Sequence, residues 1–339
     1  MPLDKLDKME NQATPPFLCQ ACGGELKNFN ESFKCQSCSK NWHAEEGIPL
    51  LFWANEWKDK SKDVTESIKA FYEKTPFPNY DDLDSAQSLR EKAYKGIFAR
   101  LLDEQIPYDA NIFEAGCGTG QLSNFLATTW GRTVVGADLC LNSLKLAQKF
   151  KKDNSIENVT FAQMNLFKPA LKPESFDFVI SNGVLHHTSN PRLGFQSISK
   201  LLKRGGFIVI GLYNKYWRLQ TDLRRFMFNI SGNRFKKLDP HLRENISDGK
   251  KTAWFMDQYK NPHESKHTID EVLKWFNEDG FEFMNSIPKS IAIENFSADE
   301  KLFEPHEIGT KTDHILVQTK LIFTGGREGG FFVMIGKKK

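Results

Sequence analysis

The stretch Ile112-Phe113-Glu114-Ala115-Gly116-Cys117-Gly118-Thr119-Gly120 decides the fold. A short apolar run reads as a strand and passes through three alternating glycines into a helix starting near Gln121. Glycines at such a turn let the backbone bend sharply and approach a ligand closely. A GxG alone is weak evidence. It gains weight because the next apolar run, Thr133 to Ala137, ends in Asp138, about twenty residues on, where a carboxylate can accept both hydroxyls of a ribose. The turn and the acid together point to a nucleoside-containing cofactor. A dinucleotide fingerprint would read GxGxxG, with a helix N-terminus facing a pyrophosphate, whereas here the spacing is GxGxG and Glu114 sits two residues before the first glycine. A carboxylate there would repel a pyrophosphate and suits a cofactor with a cationic amino group and no phosphate. No Gly-Lys-Ser/Thr follows the turn, which excludes a kinase-type P-loop.

Outward from the turn, short apolar runs alternate with helical segments. Strands are expected at Ile112 to Ala115, Thr133 to Ala137, Val159 to Met164, Phe176 to Ser181 and Phe207 to Leu212. Helices are expected from Thr119, from Asn142 and from about Pro191 to Leu202. This alternation means βαβ units, right-handed crossovers and a parallel sheet with ligand sites at the carboxyl ends of its strands. Residues 213–266 interrupt it as an insertion. There a helix from Trp217 to Ile230 places Leu219, Leu223, Phe226, Met227 and Ile230 on one face, with Arg218, Arg224 and Arg225 outside it. A helix from Thr268 to Glu278, a strand at Phe281 to Asn285 and a last strand at Phe331 to Ile335 complete the expected domain, residues 107–339. Ahead of it, residues 58–106 read as a mainly helical substrate-side or linker region broken by the prolines of Thr75-Pro-Phe-Pro-Asn-Tyr80. Leu89, Ala93, Ile97 and Leu101 recur every four residues, the stripe of one helix lying on a core.

Four segments carry a resemblance. They are Glu114 to Gly120, Val134-Val-Gly-Ala-Asp138, Phe176-Asp-Phe-Val-Ile-Ser-Asn-Gly183 and Leu201-Leu-Lys-Arg-Gly-Gly-Phe207. The succession resembles the motifs of class I S-adenosylmethionine-dependent methyltransferases of the small-molecule type 11 kind, firmly over residues 105–212 and more loosely to the terminal strand. The resemblance implies a Rossmann-like, seven-stranded, mostly parallel α/β sheet with S-adenosyl-L-methionine as cofactor. It implies that Gly116, Gly118 and Gly120 pass under the methionine part and ribose, that Asp138 holds the ribose hydroxyls and that Leu139 packs on the adenine. Where that family has an Asp for the adenine amino group, this sequence has Asn165, followed by Leu166; the amide oxygen is still an acceptor. Asn182 falls after the fourth strand, next to the methionine end.

A sulfonium methyl is already reactive, so the protein mainly has to align a nucleophile about 3 Å away and exclude water. His186 and His187 follow the fourth strand, where a histidine can serve as base; they can equally hydrogen-bond the loop or cap the next helix. Cys117 and Cys140 read as small packing residues. The insertion holds twelve Lys and Arg against six Asp and Glu, interleaved with Tyr213, Tyr216, Trp217, Trp254, Phe255 and Tyr259. It suits a lid over a small acceptor, an RNA surface, a peripheral membrane element or a plain solvated cap. Phe71, Tyr72, Phe77 and Tyr80 are candidates to cover the cofactor from the other side.

Near the N-terminus, Cys19-x-x-Cys22, twelve residues, then Cys35-x-x-Cys38 is a zinc-ribbon spacing, in which each pair wraps two thiolates around one ion. Four thiolates fill a tetrahedron, so the expected zinc is structural. A redox dithiol would use one pair at a helix start, and His43 is a possible substitute ligand but reads more simply as a surface ring. The expected ribbon spans residues 16–57, after a flexible lead-in, residues 1–15. It is similar to ribbons appended to certain ribosomal-RNA methyltransferases, and Gly47-Ile-Pro-Leu-Leu51 resembles the end of small ribbon proteins that partner some RNA and protein methyltransferases.

Composition bounds the rest. The 339 residues are 40% hydrophobic with 28 Phe and 26% charged, which suits a packed globular chain, and a net charge of +3 gives no global field favouring nucleic acid or membrane. No apolar run approaches the 18 or so residues of a spanning helix, and the first thirty residues do not read as a signal peptide, so no transmembrane segment and a cytoplasmic location are expected. The leading expectation is a methyltransferase acting on a small-molecule acceptor. The alternatives are an rRNA or tRNA methyltransferase using the ribbon and the basic insertion, or a non-catalytic S-adenosylmethionine-binding scaffold.

Overall fold

The computed structural model describes residues 15–29, 32–78, 80, 85–324 and 330–339. Of the expected lead-in, residues 1–14 lie outside the described residues. The chain begins with four short antiparallel strands in sequential order, β1 (Leu26–Phe29), β2 (Ser32–Cys35), β3 (Asn41–Glu45) and β4 (Ile48–Pro49). Three helices follow, α1 (Thr65–Lys74), α2 (Ala86–Lys95) and α3 (Ile97–Gln105). The sequence stripe predicted one helix through Leu89, Ala93, Ile97 and Leu101. Instead, Gly96 adopts an extended backbone between α2 and α3, so Leu89 and Leu101 are buried while Ile97 is 42% exposed.

The alternating region follows as β5 (Asn111–Ala115), α4 (Gln121–Ala127), β6 (Thr133–Asp138), α5 (Leu141–Asp153), β7 (Val159–Gln163), β8 (Phe176–Asn182), α6 (Pro191–Ser199) and β9 (Leu202–Tyr213). The insertion contributes α7 (Arg218–Ile230) and α8 (Asp248–Lys260). After it come α9 (Ile269–Glu278), β10 (Phe281–Ile287), α10 (Lys311–Thr324) and β11 (Phe331–Lys338). The large sheet has the order β10-β11-β9-β8-β5-β6-β7. Strands β5 to β9 pair in parallel, and β11 runs antiparallel to both its neighbours. This is the expected seven-stranded, mostly parallel Rossmann-like sheet. Ile112, Val134, Val159, Val179, Ile180 and Ile208 are fully or almost fully buried, as parallel strands covered on both faces require. The chain goes from β5 outward through β6 and β7, then returns to place β8 on the other side of β5. That reversal opens a crevice at the carboxyl ends of β5 and β8.

The ribbon does not stand apart. Phe17, Leu26, Phe33, Trp42 and Leu51 join the same buried cluster as Phe113, Phe176 and Leu185 of the large domain. Leu50 bridges Gln163 of β7 in parallel, and the Leu51 N–H donates to the Gln163 carbonyl at 2.9 Å. Helix α7 turns its apolar face outward. Arg218, Thr221 and Phe228 are buried, while Leu219, Leu223, Phe226 and Ile230 are 51, 61, 62 and 71% exposed. The cause is a buried ion pair: Arg218 donates from Nη2 to Glu264 Oε2 at 2.5 Å, with side chains 0 and 3% exposed. Among the described residues, no helix is long and apolar enough to cross a membrane.

Candidate functional site

The glycine turn is held by the acid that ends β6. The Gly118 N–H donates to Asp138 Oδ2 and the Cys140 N–H to Asp138 Oδ1, each at 2.8 Å. Gly118 has a positive φ of 52°, and a Cβ there would lie 2.6 Å from the Phe77 carbonyl oxygen, so only glycine fits beneath the Phe77-Pro78 segment. That segment is clamped onto the turn: Thr119 Oγ1 donates to the Pro78 carbonyl, and the Tyr80 hydroxyl donates to the Thr119 carbonyl at 2.8 Å. Of the four candidate covering aromatics, Tyr72 and Phe77 line the cavity, Tyr80 stacks on Phe150 beside it, and Phe71 does not reach it.

The crevice is a cavity of about 740 Å³. Glu114, Gly116, Gly118, Asp138, Leu139, Leu166, Asn182 and His187 all line it; Gly120, Asn165 and His186 do not. Gly120 packs inward against Ala147 and Phe161. Asn165 departs from the role implied for an adenine contact. Its Nδ2 donates to the Trp53 carbonyl at 2.9 Å and to Asn55 Oδ1 at 2.7 Å, while its Oδ1 accepts from the Phe167 N–H at 3.0 Å. It fastens the segment leaving the ribbon to the loop after β7. Met164, Leu166 and Pro169 form that wall of the cavity instead.

Two acids line the glycine-turn end of the cavity. Burial pushes the Glu114 carboxyl up to about 8, against a hydrogen bond from Ser123 Oγ and with the nearby Asp138 charge adding to the rise. Burial also raises Asp138, opposed by the backbone N–H groups of Cys140, Gly118 and Leu139. A cation beside Glu114 and hydroxyls beside Asp138 would relieve both. With an apolar slot between Leu139, Met164 and Leu166, the cradle fits a nucleoside bearing an amino group.

The other end of the cavity joins aromatics named from the sequence, Tyr72, Tyr213 and Trp254, to Asp257, Gln258 and His241, which the sequence reading does not single out. Asp257, 4% exposed, accepts from the Tyr72 hydroxyl at 2.7 Å, from Gln258 Nε2 at 2.9 Å and from the Tyr213 hydroxyl at 3.3 Å. His241 and Trp254 complete the roof with their rings 4.3 Å apart; Asp239 accepts from the Trp254 indole and from the Tyr259 hydroxyl, each at 2.8 Å. Burial first, and the Asp257 charge next, push the Tyr72 and Tyr213 hydroxyls upward, so both remain neutral donors. The spacing of these residues carries no local signal, since Tyr72 and Asp257 are 185 positions apart.

The histidine pair is a socket for the insertion. His187 Nδ1 meets the His263 carbonyl at 2.9 Å, and the His186 carbonyl accepts from the Ser265 N–H at 2.7 Å. With Nδ1 of His187 donating, its Nε2 accepts from His186 Nε2 at 3.1 Å. Burial lowers both imidazoles, His186 well below its ordinary range, and keeps them neutral. The lone pair of His187 is therefore aimed at His186 rather than at the cavity.

In the ribbon, Cys19, Cys22, Cys35 and Cys38 bring their sulfurs within 4.8 Å of one another, with Cys19 and Cys38 3.8 Å apart and Cys22 and Cys35 3.4 Å apart. Four thiolates at about 2.3 Å from a tetrahedral zinc would stand about 3.8 Å apart, so the set fits that ion. The N–H groups of Ser37 and Cys38 point at Cys35 Sγ and the Trp42 indole at Cys19 Sγ, each at 3.4 Å. Such donors orient metal-bound sulfurs. The backbone N–H groups of Cys38 and Ser37 lower the Cys35 thiol to about 6, in spite of burial. His43 is exposed and outside the cluster. Cys117 and Cys140 are buried.

Residues 113–210 match the family described as Methyltransferase domain. The chain is 24% identical over 251 residues to an uncharacterized protein of Synechococcus sp., a match covering 65% of this chain and 60% of that protein. It is 32% identical over 109 residues to the ubiquinone biosynthesis O-methyltransferase of Colwellia psychrerythraea, covering 32% of this chain and 44% of the relative. It is 29% identical over 104 residues to the malonyl-(acyl-carrier protein) O-methyltransferase of Paenibacillus sp., covering 30 and 38%. The chain thus spans less than two thirds of the length of these relatives. Among solved structures, PKMT2 from Rickettsia typhi in complex with AdoHcy superposes with a TM-score of 0.52 at 14% identity, covering 73% of this chain and 54% of that one. At that identity the likeness is one of fold.

Proposed function

We propose that the chain is an S-adenosylmethionine-dependent methyltransferase acting on a small-molecule acceptor, with a structural zinc in its ribbon. One observation carries the reading: a single roofed cavity joins two buried acids at the glycine turn, Glu114 and Asp138, to a polar end built from Tyr72, Tyr213 and Asp257. When bound, the cofactor supplies a reactive sulfonium methyl group. Glu114 would hold its amino group, Asp138 its ribose hydroxyls, and Leu139, Met164 and Leu166 its adenine, with Asn182 at the methionine end. Tyr72, Tyr213 and Asp257 would orient the acceptor under the roof of His241 and Trp254, which excludes water. His187 lies beside them as a wall residue and a weaker candidate for base.

A small acceptor is favoured over RNA because the polar end is covered by α1 and α8. The ribbon sits at the β7 edge, several strands from β9, after which the basic insertion leaves the sheet. The two relatives named as O-methyltransferases support the same reading.

Calorimetry with S-adenosylmethionine tests the cofactor: wild type binds, and Asp138→Ala weakens binding by at least about tenfold, the loss of a charge-assisted hydrogen bond. No binding by wild type would sink the assignment. Incubation with methyl-labelled S-adenosylmethionine and extract of a deletion strain tests the acceptor. Label is expected in the small-molecule fraction; label in RNA alone would overturn it.

A further inference from the structure

Helix α7 is anchored by its polar side and leaves its apolar side uncovered. Leu219, Leu223, Phe226 and Ile230 follow one another at intervals of four, three and four residues, and all are more than half exposed. The helix cannot turn this face inward without breaking the contacts that Arg218 and Arg225 make with Glu264. Helix α10 lies alongside, joined by the Trp217 indole donating to the Gln318 carbonyl at 2.6 Å, and it too presents apolar side chains, with Phe323 85% exposed.

Basic residues gather beyond the C-terminal end of α7. Between residues 231 and 260 there are seven Lys and Arg and four Asp and Glu, but Asp239 and Asp257 are buried, which leaves two acids against seven bases toward solvent. Lys236, Lys237, Lys251 and Lys260 line one cleft of about 560 Å³ that has no carboxylate among its lining residues. The cleft adjoins α7: Lys260 Nζ donates to Asn229 Oδ1 of that helix at 2.9 Å, and Asn233, just past its end, lines the cleft.

We propose that this face of the insertion docks the protein on an anionic lipid bilayer, with Leu219, Leu223, Phe226 and Ile230 entering the interface and the lysine cleft meeting lipid headgroups. An in-plane amphipathic helix needs this combination of apolar side chains and flanking cations. RNA would engage the cations but gain nothing from exposed leucine and isoleucine. The same segment supplies His241 and Trp254 to the cavity roof, so the docked face adjoins the acceptor end.

Co-sedimentation of the full chain with vesicles tests this without cofactor or acceptor, so its outcome is independent of the methyltransferase reading. The chain is expected to bind vesicles of phosphatidylcholine mixed with phosphatidylglycerol, not phosphatidylcholine alone, and to release as salt is raised. The L223E/F226E and K236E/K237E variants should each lower partitioning by at least about tenfold with an unchanged thermal midpoint. Absence of binding, equal binding to neutral vesicles, or variants that bind like wild type would overturn the proposal. So would a wild-type dimer, or RNA binding, that L223E/F226E abolishes in place of vesicle binding.

Discussion

The Tyr72 hydroxyl donates to Asp257 Oδ1 at 2.7 Å, joining α1, which precedes the large sheet, to α8 of the insertion over the polar end of the cavity. Asn261 Nδ2 donates in turn to the Tyr72 oxygen at 2.9 Å. The roof is therefore built from two distant parts of the chain that meet through one carboxylate.

Replacing that carboxylate should separate the two halves of the site. Asp257→Ala leaves the Tyr72, Tyr213 and Gln258 donors short of an acceptor, at a cost of about 1–3 kcal/mol in stability. Methyl transfer should fall by at least about tenfold while calorimetric affinity for S-adenosylmethionine stays close to wild type. A parallel loss of cofactor affinity would move Asp257 out of the acceptor role.

Glu114 should make cofactor binding and stability depend on pH in opposite senses. Its carboxyl is raised in the folded protein from an ordinary 4.5 to about 8, so between those values the folded state binds more protons than the unfolded one. Stability of the ligand-free protein that comes from this group is present below about 4.5 and is lost as pH rises through about 8. A cationic ligand needs the carboxylate, so its affinity should rise over the same interval with proton release. Thermal melts and calorimetry in buffers of different ionisation enthalpy check both trends, and Glu114→Gln should flatten them.

Zinc should be stoichiometric and should matter to the large domain. Metal analysis is expected to find about one zinc per chain, and Cys19→Ser or chelation should lower the thermal midpoint of the whole protein, because Phe17, Trp42 and Leu51 lie in the shared core. A ribbon that loses its metal without changing the main transition would contradict that coupling.

The Arg218–Glu264 pair fixes α7. Burial opposes the charge on Glu264, but Arg218 and Arg225 hold its carboxyl down to about 2. Glu264→Gln leaves a buried guanidinium without its counter-charge and should cost about 3–5 kcal/mol in denaturant unfolding. A loss below about 1 kcal/mol would mean that the pair is open to solvent.

What the sequence made legible was local. The glycine turn, Asp138 and the strand alternation are set by neighbours in the chain, and the two CxxC pairs by a single hairpin. What it hid depends on partners far away. Asn165 has the right position for an adenine contact, yet its amide is taken by Trp53 and Asn55, about 110 residues earlier. Leu219 to Ile230 reads as one apolar face whose direction the sequence leaves open, and the pairing of Arg218 with Glu264, 46 residues on, turns it outward. Helix α8 has no clear sequence signature because it buries Asp257 and Gln258 beside Phe255 and Tyr259, which blurs apolar periodicity. The histidines stand out in the sequence, but the carbonyl of His263 that orients His187 is supplied by the insertion.

The placement of β11 between β9 and β10 sets the order in which a nascent chain can be completed. Strands β5 to β9 can assemble as soon as β9 has left the ribosome, but β10 has no sheet partner until β11 is synthesised. Until then β9 is a bare edge carrying Ile208, Ile210 and Leu212, the kind of surface that pairs with other chains. Truncation before Phe331 should therefore yield a product that folds in part and aggregates, and the yield of soluble protein should be limited by the step that seats residues 331–338.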